Sequence, residues 1–144
     1  MECLFAEFLL WFHGFQTNES YETLLHKIFL DHPDQDVLLE LEMVSSHLLD
    51  TRGRFTRYWN YECADLDAAI FGKKLFSGLE KAYGSNRLPI DKFGWQCELL
   101  WKDIPENLAH AEPFLTLIYA DECLSWGDEA QTRMLYEKAF AFYK

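Results

Sequence analysis

Glu22 with His26, and Glu106 with His110, stand four residues apart, a spacing that puts each pair on one face of a helix. A carboxylate and an imidazole so placed can hold a metal ion or pass a proton. Helical di-metal sites use Glu-x-x-His at a spacing of three and add two further inward glutamates, which this chain does not supply. The pairs are therefore expected to be solvent-facing hydrogen bonds or ion pairs, each worth ~0.3 kcal/mol, with no metal and no cofactor. The segment Asp31-His32-Pro33-Asp34-Gln35-Asp36 is rich in oxygen donors, yet neither register has the central glycine and the glutamate at position twelve that a calcium loop uses. It is expected to cap a helix.

Asp121 follows Phe114, Leu117 and Ile118 on one helical stripe, which turns it toward the core. A buried carboxylate needs a partner. An arginine or the start of a neighbouring helix is expected there, ahead of a role as a reactive acid. The seven glycines are too dispersed to cradle a phosphate, and neither GxSxG nor HExxH occurs. No catalytic signature emerges, and the chain is expected not to be an enzyme.

The elements that must carry these residues read as helices throughout. Leu4, Phe5, Phe8, Leu9 and Phe12 line a first helix that stops at Gly14. Asn18 or Ser20 caps a second, with Tyr21, Leu24, Leu25, Ile28 and Phe29 on one face, ending near His32-Pro33 because the residue before proline leaves the α region. A third, capped by Asp34 or Asp36, buries Val37, Leu38, Leu41, Val44 and Leu48. A fourth follows Thr51-Arg52-Gly53 with Phe55, Tyr58 and Trp59, and a fifth starts near Asp65 or Asp67 and presents Leu66, Ile70, Leu79 and Tyr83. Pro89 and Asp91 announce a sixth, with Phe93, Cys97, Leu100 and Trp101 inward, and Pro105 terminates it. Pro113 opens a seventh that runs toward Gly127, and Asp128 caps an eighth, apolar nearly all round and expected to be well buried. The fold class is all-α: one domain over residues 1–144, a compact bundle or stacked hairpins of about seven or eight short helices. No repeat period aligns the Gly, Pro and Trp positions.

Of 144 residues, 49% are hydrophobic, so the formal charge of −11 decorates a folded body. That charge disfavours nucleic acid and anionic membrane as ligands. The opening residues lack a basic n-region, carry Glu2 and Glu7, and offer no small-residue cleavage site, so they are expected to stay as a helix. No run approaches the ~20 apolar residues of a membrane span. Cys3, Cys63, Cys97 and Cys123 form no CxxC pair and are expected to be buried free thiols in a reducing cytoplasm.

The charge is unevenly placed. Residues 28–51 hold Asp31, Asp34, Asp36, Glu40, Glu42 and Asp50 with no Lys or Arg. Residues 93–132 hold Glu98, Asp103, Glu106, Glu112, Asp121, Glu122, Asp128 and Glu129, opposed by Lys102 alone. Asp36 and Glu40, one turn apart, repel each other. Arg52, Arg54 and Arg57, beside Phe55, Tyr58 and Trp59, are expected to make internal salt bridges to the acidic helices.

In having these two acidic regions on a small, aromatic-rich helical body, the chain resembles, at the level of class, the immunity proteins with which bacteria neutralise toxins. The resemblance rests on Asp31, Asp34, Asp36, Glu40 and Glu42 and on Glu112, Asp121, Glu122, Asp128 and Glu129. It implies a binding protein that occludes a positively charged protein partner such as a basic nuclease, by electrostatic steering and burial of aromatic anchors. Tyr58, Trp59 or Trp126 would be those anchors where exposed. A helical adaptor that takes a partner in a groove between hairpins is the alternative; a small enzyme comes third, and would require His26, His110 and carboxylates to converge in one pocket.

Overall fold

The apolar run at the N-terminus becomes the centre of the molecule. In the computed structural model, which describes residues 1–62 and 65–144, helix α1 (Glu2–Phe12) is buried continuously from Leu4 to Leu10. Its length of apolar sequence explains this: with Leu or Phe on nearly every side, no face is left for solvent. Each fully buried Leu or Phe contributes about 2 kcal/mol. Glu7 is enclosed with them and is answered by Lys74, 2.9 Å away, as a buried carboxylate requires.

Helix α5 (Ala68–Gly84) packs most extensively against α1. Phe71, Leu75, Phe76 and Leu79 form its buried stripe, and Gly78 leaves the notch that Leu10 fills. Asp67 caps α5, accepting from the backbone N–H groups of Ala69 and Ile70. Helices α2 (Glu19–Asp31) and α3 (Asp36–Met43) pack against each other, and α2 packs against α1. Helix α4 (Leu48–Arg57) runs on into a π-helical turn, Tyr58–Glu62.

The C-terminal part consists of α6 (Ile90–Trp101), the short α7 (Glu106–Ala109) and α8 (Thr116–Tyr119), a 3-10 segment (Ala120–Trp126) and α9 (Glu129–Ala141). Among the described residues there are nine α-helices and no strand, as the helical periodicity predicts. No helix is long and apolar enough to cross a membrane.

Several local expectations are corrected. Neither Asp34 nor Asp36 caps α3; Gln35 occupies that position without a side-chain bond. Leu48 begins α4 and is exposed, and Thr51-Arg52-Gly53 lies inside α4 rather than before it. Thr51 stays in the helix because its hydroxyl donates to the carbonyls of Val44 and His47, tying the α3–α4 turn to α4. Ile70 is half exposed, since it lies on the side of α5 opposite the buried stripe of Phe71, Leu75, Phe76 and Leu79. The helix expected from Pro113 to Gly127 divides into α8 and the 3-10 segment, and Met134 and Phe142 of α9 face solvent. Cys3, Cys97 and Cys123 carry free thiols, Cys3 only half buried; Cys63 lies outside the described residues.

Candidate functional site

The acids of the C-terminal part gather where α6 meets the 3-10 segment. Gly94 makes the approach close: a Cβ there would lie 2.6 Å from the Cβ of Asp121. Gly127, in the left-handed conformation at φ 79°, ends the 3-10 segment and turns the chain back into α9. The Asp128 side chain caps α9 through Gln131 N–H, and the Thr132 hydroxyl donates to the Ala120 carbonyl over 2.6 Å. These bonds fix Asp121 and Glu122 opposite Glu98.

Asp121 does not find the arginine or helix start expected for it. Its neighbour is another acid, Glu98. Burial first and Asp121 second raise the carboxyl of Glu98 above its ordinary pKa, with Glu122 adding to the effect and Lys102 opposing it. Asp121 is raised as well, by burial and by the Glu122 charge. Both carboxyls are thus held above their ordinary values by burial and by neighbouring negative charge. Asp121 Oδ1 and the hydroxyl of Tyr136 are buried there without a hydrogen-bond partner among the described residues. Burial pushes the Cys97 thiol beneath them far from reactivity.

Two tryptophans stand beside these acids. Trp126, at the end of the 3-10 segment, is 74% exposed, and Trp95, next to Gly94 on α6, is 59% exposed. Trp59, expected as an anchor where exposed, is instead a core residue against Phe5, and Tyr58 is half buried. The aromatic crowding around Phe5, Phe8 and Phe55 leaves Trp59 a hydrophobic niche.

The other sequence-derived candidates divide. Asp31, Asp34 and Asp36 are exposed around the α2–α3 turn and make no ion pair among the described residues. Glu40 is neutralised by Arg54 Nε and Arg57 Nη2, each at 2.6 Å. Arg54 also grips Glu62 through both Nη atoms. That contact holds Glu62 below the usual carboxylate range. Glu129 pairs with Arg133 one turn on, Asp128 is spent as a cap, and Glu112 accepts from Thr116 and Tyr119 of α8. His26 meets Glu42 at 3.6 Å rather than Glu22, which accepts from Asn18. His26 and His110 do not converge with carboxylates in one pocket, and among the described residues no group of three metal-ligating side chains forms.

Sequence reasoning left out Trp95 and did not single out Glu98. Their signal was present: one turn apart, they sit off the apolar stripe of Phe93, Cys97 and Leu100. A second network fulfils the internal pairing expected of Arg52, but its partner Asp103 and the part played by His13 were not singled out. Asp103 accepts from His13 Nε2 at 2.6 Å and from Arg52 Nε at 2.8 Å. Burial of Asp103 opposes its ionisation, but these two donors hold its carboxyl below the ordinary value. The bond from Trp101 Nε1 to the Ala109 carbonyl, 2.8 Å long, steadies the adjoining α6–α7 connection. Compared with known proteins, the chain matches no family model, no curated protein and no solved structure.

Proposed function

We propose that this chain is a non-catalytic binding protein that neutralises a positively charged protein partner, which docks on the face formed by α6 and the 3-10 segment. The observation that carries the reading is the group Glu98, Asp121 and Glu122, whose mutual repulsion no arginine relieves among the described residues. Carboxylates held in that condition favour the arrival of a cation, and perturbed groups of this kind concentrate at functional sites. Trp95 and Trp126 supply large, rigid contact area beside the charge, the composition of interface hot spots. The remaining negative charge steers a basic partner from a distance. An immunity protein inhibiting a toxin such as a basic nuclease is the specific form of this reading, consistent with the class resemblance of the sequence.

The test uses paired baits from the source cell's lysate: the native chain and the triple variant Glu98→Gln/Asp121→Asn/Glu122→Gln. Basic proteins retained by the native chain at about 0.15 M salt, lost at higher salt and lost from the triple variant, are the expected outcome. Equal capture by both baits rejects the reading.

A further inference from the structure

A hollow of about 700 Å³ lies between α4 with its π-helical turn and the connection that runs from α6 into α7. That volume is in the range of sites that take small organic molecules. Phe5, Leu49, Ile104 and Pro105 give it an apolar wall. Trp59 reaches it from the π-helical turn, an element rare in proteins and frequent at functional sites. Trp59 is only 8% exposed, and its indole N–H, which donates but cannot accept, has no partner among the described residues. A buried donor left unpaired costs ~1–3 kcal/mol. Asn60, next on the turn, adds an exposed amide to the same hollow.

The charges on its walls balance, two of each sign. They differ in how they are used. Arg52 and Asp103 hold each other, with His13 on the other carboxylate oxygen. Lys102 and Glu106 are exposed and make no ion pair among the described residues, with each other or with a third group. A partner surface of one sign meets as much repulsion as attraction from such a lining. A ligand that carries one charge of each sign finds a counter-charge for both.

We propose that this hollow binds a short apolar peptide with both ends free. Its terminal carboxylate lies against Lys102, its terminal ammonium against Glu106, and its side chains rest on the apolar wall. A peptide carbonyl accepts the Trp59 N–H, the bond that the folded chain does not make for itself. Lys102 and Glu106 do not close on each other, so their ligand must hold its two charges apart. In a single amino acid both charged groups sit on one carbon; each further residue of an extended peptide adds about 3.4 Å between them. Lys102 also opposes the crowding on Glu98, but the other residues are not those of the α6 face, and the inference does not rest on that reading.

The test is a calorimetric titration of the full native chain with trileucine, its N-acetyl form and its C-terminal amide, at about 0.05 M salt. Trileucine is expected to bind saturably, with a Kd of ~1 mM or tighter. Acetylation should weaken it at least ~5-fold, the scale of one charge-assisted hydrogen bond, and leave Glu106→Gln without further effect. Amidation should do the same with respect to Lys102→Met. Both substitutions fall on exposed side chains, so folding is not at issue. Gly53→Leu should weaken all three ligands: Gly53 lines the hollow, and a side chain there enters open space. In a nitrogen-resolved NMR spectrum the Trp59 indole N–H signal, assigned through Trp59→Phe, should move downfield as trileucine binds. No saturable binding up to ~10 mM, equal binding of the blocked peptides, or losses in Lys102→Met and Glu106→Gln that do not follow the blocked end overturn the proposal. Free leucine that binds as tightly as trileucine, or a Trp59 signal that stays in place, overturns it as well.

Discussion

Around α4, excess negative charge is met by arginines; around α6, it is left to press on itself. Arg54 and Arg57 converge on Glu40 and Glu62, and Arg52 joins His13 on Asp103. These contacts cross-link α1, α3, α4, the π-helical turn and the end of α6. Among the described residues Lys102 is the one cation that opposes the crowding on Glu98, and Trp95 and Trp126 stand exposed on the same two elements. Carboxylates of the first kind serve the fold. Those of the second kind crowd one another instead, and acidic composition alone does not tell the two apart.

The contrast can be broken at its strongest point first. Asp103→Ala removes the acceptor shared by buried His13 and by Arg52, and should cost about 2 kcal/mol, the scale of losing charge-assisted hydrogen bonds to a largely buried group; urea unfolding reads it. A variant as stable as the native chain would mean that the braced half is not braced there. Arg54→Met comes next. It leaves Glu40 and Glu62 half exposed and able to hydrate, so the loss is smaller, several degrees or less in melting temperature.

The smallest effect has the opposite sign. Glu98→Gln/Asp121→Asn should raise the melting temperature at neutral pH by ~2 °C, because it removes repelling carboxylates without changing their size. Acidification sharpens the difference. Asp103 and Glu62 have lowered folded pKa values, so their stabilisation is complete at neutral pH and disappears only as pH falls through those low values. Glu98 and Asp121 have raised values: the folded chain binds their protons more tightly than the unfolded one, so stability rises as pH falls through them and is lost on the way back up. Unfolding at about pH 7.5 and about pH 5.5 should therefore show the advantage of the double variant narrowing at the lower value. An advantage independent of pH would place the strain elsewhere.

Much of the fold was legible from sequence because its determinants are local. The stop at Gly14, the break before Pro33, and the caps at Asp67 and Asp128 each act within a few residues, and all stand where their chemistry puts them. Long-range burial was less legible. Leu48 fits the period of α3, but the turn at 44–47 shifts it onto α4, and Met134 continues an apolar pattern that faces solvent. The arginine trio's internal pairing could be anticipated from charge balance. The identity of Asp121's neighbour could not, because Glu98 and Asp121 are distant in sequence and meet only through the absence of a side chain at Gly94.

The placement of α1 also governs the order of events during synthesis. Leu4 through Leu10 find their main covering in α5, some seventy residues downstream. Until Phe71, Leu75 and Leu79 have left the ribosome, the most apolar segment of the chain has α2 and, later, Phe55 and Trp59 to shield it, but not its main cover. Loop closure over that distance precedes any reward from the contact, so nascent chains stalled before α5 are the form in which this protein most needs a chaperone.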